Sequence, residues 1–537
     1  MASSMAASSV VRSPEKITAP YGSWKSPITA DVVCSAEKRL GGIAVAGDGR
    51  LVWIETRPAE GGRAVLVMEP VKVEDKPLDI IPEEFAARTL AQEYGGGAFA
   101  VLENMIIFSN YKDQQLYKQI IGGRSPVPIS PDYGESVVRY ADGFFDPHFN
   151  RYLTVMEDHR RSCLNPITSI VAINLNDGNI QGELFFITDR KSGFWNIYKW
   201  IEHKNEVVPV YSLNAEFTRP LWVFGISSYD FVGKDGENQK IVCSYRQSGR
   251  SYLGILDHVQ GSFSPLDIPF TDISNIVSAS CCLYVEGASG RQPLSVAKVI
   301  LDEKQSKAIE FSIIWSSSPD ITKYEPYFSL PEIIEFPTEN PGYGREYRER
   351  LLGHWGIVDV NDCCSSAKFL AESGKVDAQR LCITGRSAGG YTTLACLAFS
   401  DTFKAGASLY GVADLSSLKA ETHKFESHYI DNLVGSENAY YERAPINFVD
   451  KFTCPVILFQ GLEDKVVPPD QARKIYKALK EKGLPVALVE YEGEQHGFRK
   501  AENIKFTLEQ MMMFLARLVG HFEVADAISP IKIDNFD

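Results

Sequence analysis

One stretch constrains this chain more than any other: Leu381-Cys382-Ile383-Thr384-Gly385-Arg386-Ser387-Ala388-Gly389-Gly390-Tyr391. An apolar run ends in Gly-x-Ser-x-Gly, and a helix-like segment, Thr392 to Phe399, follows. This is the pattern of a nucleophile elbow, where a serine sits on a tight strand-to-helix turn with a strained backbone and a projecting hydroxyl. Gly385 and Gly389 are expected to remove side chains that would collide as strand and helix close on each other. The helix N-terminus then offers the backbone N–H of Ala388 to a developing oxyanion. Glycine and serine are common residues, so the motif gains weight only from its flanking elements and from partners elsewhere in the chain.

A serine hydroxyl needs a base, and the base needs an orienting carboxylate. On a strand-turn-helix scaffold the chain order is Ser, then Asp or Glu, then His. Pro455 to Phe459 reads as a buried strand and leads into Gln460-Gly461-Leu462-Glu463-Asp464-Lys465-Val466-Val467-Pro468. Glu463 or Asp464 can serve as the acid. Asp464 fits better, because the residues after it run straight into the next helix, although an Asp here is also an ordinary turn residue. A further strand, Val486 to Tyr491, is followed by Glu492-Gly493-Glu494-Gln495-His496-Gly497-Phe498, which places His496 in a loop just past the sheet. His423 and His428 precede the Asp464 strand, which is the wrong order, and His521 falls at the end of the last helix. Tyr391, Tyr410, Phe425 and Tyr429 are candidates for an apolar pocket near Ser387, although aromatics in a large chain are more often core.

The rest of the chain divides in two. From about Gly41 to Ser318, short β-like runs alternate with turn residues. Leu51 to Glu55 is followed by Ala64 to Met68, Met105 to Ser109 by Gln115 to Gln119, Tyr152 to Met156 by Ser169 to Leu175, Leu184 to Ile187 by Trp195 to Tyr198, and Ile241 to Tyr245 by Leu253 to Leu256. A strand–turn–strand unit recurring at this spacing suits a β-propeller better than a sandwich. The interval from the Leu153 strand to the Leu184 strand is too short for a whole blade. Glu93-Tyr94-Gly95-Gly96-Gly97 follows no strand pattern and opens no helix, so it is expected to be a bend at a blade edge rather than a phosphate loop. Beyond Ser318, strands alternate with helices: Trp355 to Glu372, Gln471 to Lys482 and Phe506 to Phe522 have helical character, which implies a parallel sheet covered on both faces.

Composition narrows the partners. The chain has 537 residues and a net charge of −14, which argues against nucleic acid and anionic membranes. No apolar run is long enough to span a bilayer. The ten cysteines show no metal-ligand spacing and read as reduced thiols. Met1 to Arg12 lacks the apolar core of a secretory signal. It is expected to be a cytosolic tail, with a chloroplast or other organelle transit peptide as the alternative.

With these residues in view, the sequence resembles the prolyl oligopeptidase family of serine peptidases, nearest to its acylaminoacyl peptidase and dipeptidyl aminopeptidase-like branch. The resemblance rests on Gly344-Arg345-Glu346-Tyr347, the Gly385–Tyr391 elbow, the Asp464–Pro468 run and His496-Gly497-Phe498. It implies an all-β propeller followed by an α/β-hydrolase domain. The expected bounds are an entry segment at 1–40, a propeller at 41–330 lacking part of a blade near 178–183, and a catalytic domain at 331–537 with an incomplete sheet. It also implies that Ser387 is the nucleophile, Asp464 the orienting acid and His496 the base, that no metal or cofactor is needed, and that the propeller restricts entry to peptides. The expected partners are peptide substrates, with homo-oligomers left open. The sequence departs from the family by having no His-Gly-Gly-Pro segment, the source of early sheet strands and a second oxyanion donor. Pro337-Thr338-Glu339-Asn340-Pro341 runs directly into Gly342-Tyr343-Gly344. The expected function is a cytoplasmic serine-type peptidase impaired by that omission. The alternatives are a carboxylesterase-like hydrolase on the same triad, or a catalytically weak propeller that binds partners.

Overall fold

The computed structural model describes residues 18–19, 23–36, 38–72, 75–123, 125–134, 136–146, 151–162, 165–174, 184–201, 204, 206–233, 239–279, 282–318, 321–336 and 343–537. The Met1 to Arg12 stretch lies outside them. Among the described residues no helix is long and apolar enough to cross a membrane.

The first region is a six-bladed β-propeller. Six antiparallel sheets follow one another along the chain, spanning 39–79, 99–128, 138–174, 184–209, 229–266 and 272–316. Strand Leu51–Arg57 shows why the blades stack. Its residues Leu51 to Glu55 are all buried, so both faces of the strand meet protein rather than alternating with water. The opening strands of neighbouring sheets pack on one another: β1 (Arg39–Val45) on β2 (Phe99–Leu102), β2 on β3 (Val138–Asp146), and β4 (Tyr229–Val232) on β5 (Asp272–Ala279). The ring closes where β5 packs on β1. There the Trp315 indole donates to the buried Glu55 carboxylate at 2.7 Å, and Trp315 lies 6.3 Å from Trp53. The first, second, fifth and sixth sheets have four strands each, and the third and fourth have three among the described residues. The expected omission near 178–183 falls between those two sheets, outside the described residues.

The second region carries a parallel sheet flanked by helices, as in an α/β hydrolase. Its strands β6 (Cys382–Arg386), β7 (Ala405–Leu409), β8 (Val456–Gly461) and β9 (Val486–Tyr491) lie side by side in chain order. Strand β8 is buried throughout, whereas β6 is exposed at Thr384 and Arg386. Helix α1 (Val358–Glu372) precedes the sheet and buries Val360, Cys364 and Ala367. Helix α2 (Ala388–Phe399) follows β6, and α3 (Asp470–Lys482) buries Ala472, Ile475 and Leu479 as its periodicity requires. The closing helix α4 spans Ala501–Leu515, starting earlier than its apolar pattern suggests. The reason is Glu494: its buried carboxylate accepts from the N–H groups of Arg499 and Lys500 and caps the helix from outside the apolar run.

Arg345 of the Gly-Arg-Glu-Tyr motif and Arg348 just after it fasten the regions together. In the short helix Arg345–Glu349, Arg345 and Arg348 both reach Asp189 of the propeller, at 2.5 and 2.7 Å. Arg348 also pairs with Glu216.

Candidate active site

The elbow forms where its sequence predicts. Ser387 sits between β6 and α2 at φ 54° and ψ −121°, a strained conformation for a residue with a side chain. Its N–H donates to Leu409 O at 3.0 Å, which pins the turn to the neighbouring strand. A Cβ at Gly385 would lie 2.0 Å from Gly389 O, so this position admits only glycine. Gly389 does not share that role, because a Cβ there would meet nothing within 4 Å. The second close approach belongs to Gly390, whose Cβ would lie 2.6 Å from Gly411 Cα.

The acid and the imidazole arrive from the ends of β8 and β9. His496 Nε2 lies 2.8 Å from Ser387 Oγ, and His496 Nδ1 lies 2.8 Å from Asp464 Oδ2. Asp464 is 4% exposed, and its Oδ1 accepts from the N–H groups of Val466 and Val467 at 2.9 Å each. These bonds supply the partners a buried carboxylate requires. The alternative acid, Glu463, is exposed, and so is His521. The His496 loop is tied down on the propeller side as well. Gln495 accepts from Arg88 at 3.2 Å and donates to the Tyr111 hydroxyl at 2.9 Å, while Arg39 donates to Phe498 O at 3.2 Å.

Ala388 is the first residue of α2, where a helix leaves its N–H groups without intrahelical acceptors. The chain passes from α1 through the short turn Ala378–Arg380 into β6.

The four aromatic candidates separate. Tyr391 is fully buried, with its ring 4.5 Å from Trp355 and its hydroxyl donating to Arg443 O, so it belongs to the core and not to a pocket. Position four after the serine turns inward on α2, whose whole inner face is buried. Tyr410 is 8% exposed and packs on His496 at 4.8 Å, behind the imidazole. Phe425 and Tyr429 are partly exposed and stack edge-on with Trp222 at 5.8 and 5.4 Å. All three line an apolar cavity of about 750 Å³ between the propeller and the catalytic region. A larger cavity of about 1560 Å³ lies elsewhere, beside the free edge of β6.

Sequence reasoning missed Tyr94, Trp222 and Glu426. Tyr94 lies in the turn that leads into the second blade, as expected, but it also reaches the catalytic region. Its ring comes within 6.4 Å of His496, 5.7 Å of His423 and 5.7 Å of Trp222, and its hydroxyl donates to Glu426 at 2.5 Å. Burial and the neighbouring Glu426 carboxylate push the Tyr94 phenol well above its ordinary range. Burial also holds the His423 imidazole below its usual value, against the pull of Glu426. The available signal was the glycine run at Gly95 to Gly97, which marks a chain forced through an unusual path.

A β-propeller set against an elbow, with serine, imidazole and carboxylate in hydrogen-bonded line, defines a propeller-bearing α/β hydrolase. Residues 339–522 of the chain match the model of the prolyl oligopeptidase family. The chain is similar over 97% of its length to a puromycin-hydrolyzing peptidase of Mycobacterium tuberculosis, with 28% identity, 100% of that chain covered and a TM-score of 0.85. A solved puromycin hydrolase is alike at 26% identity, with 96% and 99% covered and a TM-score of 0.85. Among curated proteins, dipeptidyl aminopeptidase BIII of Pseudoxanthomonas mexicana is 26% identical over 33% of this chain and 27% of its own length. Acylamino-acid-releasing enzyme 1 of Oryza sativa subsp. japonica is 25% identical over 30% of this chain and 23% of its own. The matched part thus spans about a quarter of these curated relatives.

Proposed function

We propose that this protein is a serine peptidase of short peptides, with Ser387 as nucleophile, His496 as general base and Asp464 as orienting acid. The observation that carries the reading is the Ser387–His496–Asp464 hydrogen-bond line, 2.8 Å at each step, on a strained elbow. The names of the relatives, peptidases and a puromycin hydrolase, support the same chemistry.

In this reading Ser387 Oγ attacks the scissile carbonyl carbon while His496 Nε2 takes the hydroxyl proton. The imidazolium gives that proton to the leaving amine nitrogen, which departs as the C–N bond breaks. Water then loses a proton to His496 and attacks the acyl carbon, and the imidazolium returns that proton to Ser387 Oγ as the ester C–O bond breaks, releasing a carboxylic acid. Asp464 holds Nδ1–H and stabilises the imidazolium without itself taking the proton. Ala388 N–H supplies one oxyanion donor. The apolar cavity at Phe425, Tyr429 and Trp222, which Tyr94 joins to His496, would favour apolar and aromatic substrate side chains.

A fluorophosphonate probe tests the assignment. Labelling should map to Ser387 and vanish in Ser387→Ala and His496→Ala. A label on another serine would remove the assignment. A substrate panel in which only esters, and no peptide amides, turned over would replace the peptidase with an esterase.

A further inference from the structure

Residues 92–97 form a strap that runs from the propeller to the triad. Gln92, Glu93, Gly95, Gly96 and Gly97 have φ of 56°, 64°, 70°, 92° and 56°, and Tyr94 is the one residue of the six outside that left-handed region. There is no room for a Cβ at the glycines. It would lie 2.3 Å from Thr89 O at Gly95, 2.3 Å from Phe224 O at Gly96 and 2.9 Å from Asp142 Cα at Gly97. The strap is fastened on every side. Arg139 donates to Glu93 at 2.6 Å and to Leu90 O at 2.8 Å, and Glu157 accepts from Gln92 N–H at 3.2 Å. Gly97 O accepts from Asp142 N–H at 2.8 Å, and Gly95 O from Phe224 N–H at 2.9 Å. A backbone strained in this way and held this firmly delivers one side chain, Tyr94, to one place.

That place is an aromatic cluster of Trp222, His423 and Phe425 that borders His496. The Tyr94 ring meets the imidazole at 6.4 Å and 79°, and the Tyr410 ring meets it at 4.8 Å and 65°. The hydrogen bonds at Nδ1 and Nε2 fix the imidazole within its plane, and the aromatic rings limit its tilt out of that plane. Tyr94 is anchored in turn: its hydroxyl donates to Glu426, which is 8% exposed and also accepts from the Thr422 hydroxyl at 3.4 Å.

We propose that Tyr94 is a positioning residue for His496, so that docking of the propeller sets the orientation of the base. The proposal rests on the Ser387–His496 reading above. It assigns the catalytic region a component carried by the other domain, 332 residues away from Glu426 in the chain.

The test is the kinetics of fluorophosphonate labelling, which gives a limiting rate and a half-saturating concentration without requiring a known peptide. Tyr94→Ala should lower the limiting rate by about 10- to 100-fold, the scale of a small misplacement of a catalytic group, and leave half-saturation unchanged. Tyr94→Phe keeps the ring and should lose less. Glu426→Ala should also slow labelling, and Glu426→Gln, which retains an acceptor for the tyrosine hydroxyl, should recover most of the rate. A wild-type limiting rate in Tyr94→Ala overturns the proposal. So does a rise in half-saturation at unchanged limiting rate, which would make Tyr94 a pocket wall. Should Tyr94→Ala lose its melting transition, Tyr94→Leu retains apolar bulk without a ring, and a wild-type rate in that variant overturns the proposal equally. Failure of the wild-type chain to label at all would defeat the serine-hydrolase reading itself, an outcome distinct from unchanged labelling in the variants.

Discussion

The two edges of the four-stranded sheet are built differently. At β9 the C-terminal tail closes the edge. Val486 and Asp534 exchange backbone hydrogen bonds of 3.1 and 2.9 Å, Asn535 donates to Lys480 O and Leu484 O, and Ile533 is 1% exposed. At β6 there is no such cover among the described residues. The strand pairs with β7 alone, and the cavity of about 1560 Å³ beside it is lined by Leu381, Cys382, Met511, Met512 and Leu515. The acid and the imidazole hang from the closed half, at the ends of β8 and β9, and only the serine sits on the open strand. The contrast separates two requirements of this chemistry. Bringing the serine, imidazole and carboxylate together needs only the strands from β6 onward. In the proposed peptidase, a second oxyanion donor and cover for the open edge would come from the other side of β6.

The strongest way to break the comparison is to close the open edge. Insertion of the family's His-Gly-Gly-Pro segment and its early strands after Pro341 should raise kcat by roughly two to three orders of magnitude, the value of one oxyanion donor. Soluble yield should rise with it, because an unpaired strand beside an apolar groove templates association. Equal kcat and equal yield from the two chains would show that the open edge is harmless. The opposite manipulation opens the closed edge. Ile533→Ala should cost about 2–5 kcal/mol of unfolding free energy, as for other buried isoleucine truncations, read from urea denaturation. A loss below about 0.5 kcal/mol would mean that the tail covers the edge without stabilising it.

What could be read in the sequence follows the same division. The elbow, Asp464 and His496 were legible because each is local: a strand, a turn and one polar residue, repeated in a fixed chain order. The propeller was legible because its blades repeat. The start of α4 was not, since its cap comes from Glu494, outside the apolar pattern. Tyr391 is a pocket candidate in the sequence and core in the structure, because nearness to Ser387 in sequence says nothing of which face of α2 it occupies. Tyr94, Trp222 and Glu426 were invisible for a stronger reason. They meet only after two domains dock, and no local period records such a contact. The Gly95–Gly97 run announced an unusual backbone, but its destination is set by Asp142 and Phe224, far along the chain.

Smaller effects sharpen the comparison at the elbow. Gly385→Ala forces a Cβ to within 2.0 Å of Gly389 O and should destabilise by at least about 1–3 kcal/mol, the usual penalty of overpacking. Gly389→Ala meets nothing and lies in the first turn of α2, so it should be neutral or stabilise by up to about 1 kcal/mol through the unfolded chain. Thermal melts of the two variants should therefore move in opposite directions or differ sharply in size. A large loss in Gly389→Ala would mean that something fills the space beside the elbow and that the open side is less open than β6 suggests.

The smallest expected change in stability carries the clearest readout of the edge. Thr384 is exposed at the middle of β6, with its hydroxyl turned to Met511 Sδ at 3.6 Å. A lysine there places a charge on the free edge, the device by which sheet proteins resist edge-to-edge pairing. Thr384→Lys removes no buried contact, so the unfolding free energy should stay within about 0.5 kcal/mol of the parent. Self-association should nevertheless fall, seen as a smaller high-mass fraction in size-exclusion chromatography with light scattering across a concentration series. Two strands pairing across a twofold axis would bring the introduced charges face to face, so the effect should weaken as salt is raised. If the high-mass fraction is the same with and without the lysine, the chains associate elsewhere, and the exposed linker residues Leu330 and Ile333 become the surface to test next. If the fraction falls at low salt and returns at high salt, β6 is the surface through which copies of this chain meet.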